Sequence, residues 1–135
     1  MKNHLLTVKL FIYGFAISFF IHGAVRFPKL TEFAEGMSQQ FEASILSGWP
    51  SLYFAYCIPV LECLTAVLIM LPKKRLAFKG AQLGVITMSV IMIGTCLIEK
   101  WNLLSSQLIH SLIFVFISFF IVHDELNRNQ KLTKT

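Results

Sequence analysis

Four long apolar runs alternate with short polar segments along this chain. They cover residues 5–25, 51–71, 76–98 and 104–122. A helix of about 20 residues rises about 30 Å, which matches the hydrocarbon core of a bilayer. The pattern therefore predicts four membrane-spanning helices. Because the connections between the last three are short, it also predicts antiparallel neighbours in an all-α, up-down four-helix bundle.

The connection between the first two runs, residues 26–50, has a different pattern. Its apolar side chains recur at every fourth position, at Phe33, Met37, Phe41 and Ile45. This period is typical of an amphipathic helix that buries one side and exposes the other. The segment therefore predicts a short helix over residues 31–46 that lies on the membrane surface.

The composition agrees with a protein whose main partner is the lipid bilayer. Of the 135 residues, 56% are hydrophobic and only 14% are charged, whereas soluble domains have about 25% charged residues. The length predicts one transmembrane domain over residues 1–135. The net charge of +5 does not indicate nucleic-acid binding, because the basic residues flank the apolar runs.

The basic residues also predict an orientation. Nine of the twelve Lys and Arg residues lie on one side of the predicted membrane: Lys2, Lys9, Lys73, Lys74, Arg75, Lys79, Arg128, Lys131 and Lys134. The other three are Arg26, Lys29 and Lys100. By the positive-inside rule both termini, including the tail 123–135, are predicted to be cytoplasmic. In a bacterium this is the inner membrane, with residues 26–50 facing the periplasm.

Glu62 is the one ionisable residue in the middle of the second run. A charge at that depth costs about 3 kcal/mol or more, so it normally faces protein or water. At helical spacing it shares a face with Ala55, Pro59, Ala66 and Ile69. Three roles stay open: a hydrogen-bonded lock between helices, a proton or ligand site, and a contact with another subunit.

The first run places Gly14, Ser18, His22 and Arg26 at successive i+4 steps, hence on one helix face. One interpretation is a packing face of small residues that ends in a basic anchor. The other is that His22 or Arg26 reaches Glu62. Since Arg26 begins near the surface and Glu62 lies about 16 Å inside the membrane, His22 is predicted to be the better-placed first partner.

Two further residues extend the candidate site. His110 lies in the outer half of the fourth run, as His22 does in the first, and Tyr56 precedes Glu62 in the second. One interpretation of His110 is a hydrogen-bonded packing residue. The other is that His110 and Tyr56, together with Glu62, His22 and Arg26, line one pocket that opens outward.

The third run contributes a packing signal and no chemistry. Gly80 and Gly84 are four residues apart, a spacing that lets helices approach closely in lipid. No His or Cys stands at metal-binding spacing, and Cys57, Cys63 and Cys96 form no C-x-x-C pair. No metal site is therefore predicted.

Three short stretches of the chain form recognisable motifs: Gly23-Ala-Val-Arg26-Phe27, Pro59-Val-Leu-Glu62 and Arg75-Leu76-Ala77. They resemble the G-x-x-K/R-[LF] motif, the central glutamate and the basic turn of the DoxX-like family of small bacterial membrane proteins. The resemblance covers residues 10–122 in layout and implies a four-helix membrane protein. For the DoxD branch it implies thiosulfate:quinone oxidoreduction, and for other members association with redox or thiol-stress complexes. Because this chain has no cysteine pair, a thiol-redox activity is not favoured.

These patterns lead to one expectation about function and two alternatives. The expectation is a non-enzymatic subunit or partner-binding module of a membrane complex, in contact with other membrane subunits or with copies of itself. One alternative is redox-linked binding of a quinone or another small molecule, with Glu62 as proton acceptor beside His22, Arg26 and His110. The other alternative is transport by an oligomer. No residue pattern assigns a catalytic activity.

Overall fold

The computed structural model describes residues 2–43, 47–95 and 108–121. These ranges are helical and contain no strand. The helices are α1 (Lys2–Ala24), α2 (Leu30–Glu42), α3 (Ser51–Met70), α4 (Lys74–Thr95) and α5 (Leu108–Ile121), and a 3-10 turn (Phe27–Lys29) joins α1 to α2.

Within the described ranges, three helical stretches are long and apolar enough to cross a membrane. They are Leu6–Glu42, which includes α1 and α2, together with Ser51–Met70 and Lys74–Ile93. Leu108–Ile121 is apolar but shorter. The prediction of an all-helical protein with helices long and apolar enough to span a membrane is therefore confirmed, while the four-span, up-down arrangement stays a prediction. The connection between the third and fourth apolar runs and the tail at 123–135 lie outside the described residues.

One side of α1 packs against the rest of the protein. Ile12, Ala16, Phe19 and Gly23 recur at steps of three and four and are all buried. The predicted packing face was different, because it included Gly14 and Ser18. Both of these residues are exposed, and a Cβ atom on Gly14 would have no neighbour within 4 Å. The close approach of α1 is made by Gly23 instead.

The amphipathic helix α2 packs along the N-terminal half of α3. Its residues Ala34 and Phe41 are fully buried, and the ring of Phe41 lies 5.9 Å from that of Phe54 in α3. The hydroxyls of Ser38 and Ser51 are 2.9 Å apart, which joins α2 to the first residue of α3. The apolar side of α2 thus meets protein. Its place at the membrane surface stays a prediction, and Ile45 lies outside the described residues.

Small residues bring α4 close to its neighbours. A Cβ atom on Gly80 would lie 2.7 Å from Cβ of Leu68 and 3.1 Å from the carbonyl oxygen of Thr65, both in α3. A Cβ atom on Gly84 would lie 2.7 Å from the ring of Phe114 in α5. A side chain at Gly80 would therefore push α4 away from the backbone of α3, and one at Gly84 would displace the ring of Phe114.

Aromatic side chains form the contact between α1 and α5. The rings of Phe11 and Phe116 are 6.3 Å apart, those of Phe15 and Phe114 are 5.1 Å apart, and those of Phe19 and His110 are 5.8 Å apart. As the residue number rises along α1 it falls along α5, so the two helices run antiparallel. Such offset and edge-to-face ring pairs stabilise beyond the area that they bury.

Candidate functional site

Gly23 sets the level at which α1 ends beside α3. A Cβ atom there would lie 2.9 Å from the carbonyl oxygen of Pro59 and 3.0 Å from Cβ of Glu62. The C-terminal end of α1 therefore lies next to Glu62, and not next to the start of α3. Because α2 covers the first half of α3, the turn between α1 and α2 falls at the level of the carboxylate.

Arg26 lies in this turn and binds Glu62 directly. Its Nη1 atom is 2.6 Å from Oε1 and 2.6 Å from Oε2 of the carboxylate. Only 2% of the Glu62 side chain is exposed, against 22% for Arg26. A buried carboxylate needs such a partner, because an unpaired charge inside a protein is strongly destabilising. The pair also leaves this part of the site without net charge.

Two more groups hold the guanidinium of Arg26. Its Nη2 atom is 2.6 Å from Nε2 of His22, and its Cζ atom lies 4.5 Å from the centre of the Phe33 ring. A guanidinium only donates hydrogen bonds, so Nε2 of His22 is the acceptor. His22 is therefore the neutral tautomer with its hydrogen on Nδ1, and the Phe33 ring adds a cation–π contact.

The two histidines lie side by side at the end of this chain of contacts. The ring centres of His22 and His110 are 6.3 Å apart and the rings are nearly parallel. The ring of Phe19 stands against both, at 6.5 Å from His22 and 5.8 Å from His110. A connected polar group thus runs from Glu62 in α3 through Arg26 to His22 in α1, with His110 of α5 beside it.

These residues form one wall of a cavity of about 230 Å³. The other walls are mainly apolar and come from α2, α3 and α4. The lining residues are Phe19, His22, Arg26, Phe33, Met37, Gln40, Ile58, Glu62, Met88, Ile91 and His110. The cavity therefore combines a few convergent polar groups with an apolar lining, which is the usual composition of a small-molecule site.

The structure brings together four of the five residues predicted for the pocket: Glu62, His22, Arg26 and His110. Tyr56 does not line this cavity. It lies six positions before Glu62, and at about 100° per residue this places the two side chains on different faces of α3. The predicted order of partners was wrong, since Arg26 and not His22 binds the carboxylate.

That error came from an assumption about depth. The estimate of about 16 Å between Arg26 and Glu62 placed the end of α1 level with the start of α3. The face predicted for Glu62 itself is confirmed, because Ala55, Pro59, Ala66 and Ile69 are all buried with it.

Several lining residues were missed by sequence reasoning. Phe33 and Met37 were recognised as the apolar side of α2 but were assigned to the membrane surface, and Gln40 continues the same helix face. Met88 and Ile91 of α4 are apolar residues in an apolar helix, so nothing in their pattern distinguishes them. The amphipathic period of α2 was the signal available, because it also fits a helix packed on protein.

Metal binding receives no support from this geometry. Within residues 2–43, 47–95 and 108–121, no three His, Cys, Asp or Glu side chains are grouped so that they could hold an ion. The chemistry available at the cavity is hydrogen bonding: donors on Arg26, His22 and Gln40, and acceptor oxygens on Glu62 and Gln40.

Comparison with known proteins found no relative: no family model, no curated protein and no solved structure matches the chain.

Proposed function

We propose that this protein is an integral membrane protein that binds a small uncharged molecule in the cavity beside Arg26 and Glu62. The observation that carries the proposal is the cavity itself, with the polar groups of Glu62, Arg26 and the two histidines on one wall and mainly apolar groups on the others. Because the Arg26–Glu62 pair has no net charge, an anion or cation would enter a low-dielectric site without a free counter-charge, which is unfavourable.

The kind of molecule follows from the groups on the wall. Arg26 donates to Glu62 and His22 through its terminal nitrogens, and a guanidinium has five N–H donors. A ligand with a carbonyl or hydroxyl oxygen can accept the remaining hydrogen bonds. Phe19 and Phe33, with the thioethers of Met37 and Met88, suit a flat ring. The head group of a quinone has these properties, and we propose it as the ligand class.

We propose the following arrangement in the membrane. The helices α1, α3, α4 and α5 cross the bilayer as an up-down bundle, and α2 lies at the outer surface with its apolar side on α3. The exposed carboxylates of Glu32, Glu35 and Glu42 on α2 support a position at the surface. The distribution of Lys and Arg supports cytoplasmic termini and, in a bacterium, the inner membrane. The resemblance to the DoxX-like family supports the same layout.

A second candidate function is that of a non-enzymatic subunit, in which the Arg26–Glu62 pair serves only to join helices. The contact between the two side chains favours this candidate. Both carboxylate oxygens of Glu62 lie 2.6 Å from Nη1 of Arg26, so both already accept a hydrogen bond from the protein. It predicts that purified protein binds no small molecule at the cavity. It also predicts that Glu62→Gln, which retains a hydrogen-bonding oxygen, still co-purifies with partner chains.

Binding of a chain-free quinone distinguishes the two candidates. We expect purified wild-type protein to bind 2,3-dimethoxy-5-methyl-1,4-benzoquinone saturably in equilibrium dialysis. The double variant Arg26→Gln/Glu62→Gln removes both charges together, so no unpaired charge is left behind. It should weaken binding by about tenfold or more, the equivalent of about 1.4 kcal/mol.

The control variant is Glu32→Gln, which changes a carboxylate that is 77% exposed. It should leave the affinity unchanged. Absence of saturable binding to the wild type, or equal affinity in the double variant, would refute the ligand proposal and favour the subunit.

A further inference from the structure

A second concave surface lies between α1 and α5, on the outside of the helix pair. This α1–α5 groove has a volume of about 540 Å³. Its lining residues are Thr7, Val8, Phe11, Ile109, Leu112, Ile113 and Phe116. Apart from Thr7 they are all apolar, so the groove suits hydrocarbon and offers almost no hydrogen bonds.

The groove lies next to the cavity along α5. Ile109 at one end of the groove directly precedes His110, which lines the cavity. On α1, Phe11 lines the groove, and Phe15, one turn further on, places its ring 6.0 Å from that of His110. The two concave surfaces are thus neighbours along the same α1–α5 contact.

The surroundings of the polar groups also bear on how a ligand arrives. His22 is exposed, and so is Ser18 one turn before it. The other exposed residues beside the two histidines in sequence are apolar: Ile21 and Val25 on α1, with Leu108 and Ile109 on α5. For helices within a bilayer, such a rim faces acyl chains. A molecule that reaches Arg26 past this rim must dissolve in lipid.

We propose that the ligand is an amphiphile with a single aliphatic chain. Its oxygen-bearing head group occupies the cavity at Arg26, and its chain lies in the α1–α5 groove. From Ile109 to Phe116 the groove follows α5 for about 10 Å of helix rise, which is room for a chain of several methylene groups. This inference depends on the proposed function, and it adds the chain and the place where the chain binds.

The test compares two probes that differ only in the chain. Both carry the 2,3-dimethoxy-5-methyl-1,4-benzoquinone ring, and one also has a decyl chain. Full-length protein in phosphatidylcholine nanodiscs is titrated with each. Leu112→Trp fills the groove, and since Leu112 is 59% exposed, the helix can keep its packing. We expect Leu112→Trp to bind the decyl probe at least about fivefold more weakly than the wild type does. Its affinity for the chain-free probe should differ from that of the wild type by less than about twofold.

A matched control comes from another lipid-facing leucine. Leu64 of α3 is 45% exposed and lines neither the cavity nor the groove. Leu64→Trp should change the affinity of neither probe. Ile109→Trp, at the end of the groove nearest His110, should repeat the effect of Leu112→Trp.

Three results would overturn the inference. Equal affinities of wild type and both groove variants for the decyl probe would show that the chain lies elsewhere. Loss of co-purified phospholipid in Leu112→Trp, without weaker binding of the decyl probe, would assign the groove to a bilayer lipid. Failure of the chain-free probe to bind wild type would refute the proposed function, and the chain site with it. In the first two cases the cavity proposal survives.

Discussion

The contacts of α3 with its neighbours differ sharply over a single turn. At Thr65 the carbonyl oxygen lies so close to Gly80 of α4 that a Cβ atom would be 3.1 Å away. At Glu62, three residues earlier, α1 is equally close at Gly23, but on the side of Arg26 the surrounding helices leave a cavity of about 230 Å³. Close packing of small residues is what holds helices together in lipid. The side of Glu62 that faces Arg26 is less closely packed, so its polar groups are the candidates for ligand binding.

The largest expected effect comes from leaving Glu62 without its partner. Arg26→Met removes the guanidinium and retains much of the aliphatic side chain. Loss of one member of a buried ion pair should lower the free energy of unfolding by about 3–5 kcal/mol. Unfolding of purified protein in mixed micelles of dodecylmaltoside and SDS measures this change.

The double variant Arg26→Met/Glu62→Gln is the control for that prediction. Because it removes the carboxylate charge as well, most of the stability should return. If the double variant were as unstable as Arg26→Met, the pair would be essential to packing. The contrast between a packed region and an open one would then be lost.

The packed region is tested by Gly80→Val. The new side chain would meet Cβ of Leu68 and the backbone of α3, which cannot move aside without separating the helices. Overpacking of this kind should lower the free energy of unfolding by about 1–3 kcal/mol, seen as a fall in Tm by circular dichroism in detergent. The matched control is Gly14→Val, where a Cβ atom has no neighbour within 4 Å. A similar fall in both variants would mean that helix propensity, and not close approach, is responsible.

A smaller effect on stability is expected from Phe33, whose ring contacts Arg26 at the cavity wall. Phe33 places its ring 4.5 Å from Cζ of Arg26, and Phe33→Leu keeps an apolar side chain but removes the ring face. The lost cation–π contact should lower the free energy of unfolding by about 0.5–1 kcal/mol. Phe27→Leu serves as control, since Phe27 lies in the same connection, is exposed and lines no part of the cavity. An unchanged stability in Phe33→Leu would leave Glu62 and His22 as the groups that position Arg26.

Much of the architecture could be predicted because it depends on the chain's own apolar runs. The second run, predicted at 51–71, is α3 at Ser51–Met70, and the first and third agree with α1 and α4 over most of their length. The site could be predicted only in part. His22, Arg26 and His110 stood out because polar residues are rare in such helices, whereas Met88 and Ile91 have no feature that separates them from their apolar neighbours.

The placement of α2 shows a second limit of sequence reasoning. The series Phe33, Met37 and Phe41 predicted an amphipathic helix, and α2 is one. However, an apolar face can be buried equally well by lipid or by protein, and the period of the residues is the same in both cases. Contacts such as Ser38 with Ser51 distinguish the two, and these join residues that are remote from any local pattern.

The sequence by itself determined that the chain forms apolar helices long enough for a membrane and that Glu62 is sheltered within them. The physical reason is that segment length and the cost of a charge in hydrocarbon are properties of each segment alone. Only the tertiary structure decided that Arg26 binds the carboxylate and that a cavity remains beside the pair. That outcome depends on the level at which α1 ends against α3, which is set by the contact of Gly23 with Pro59 and Glu62.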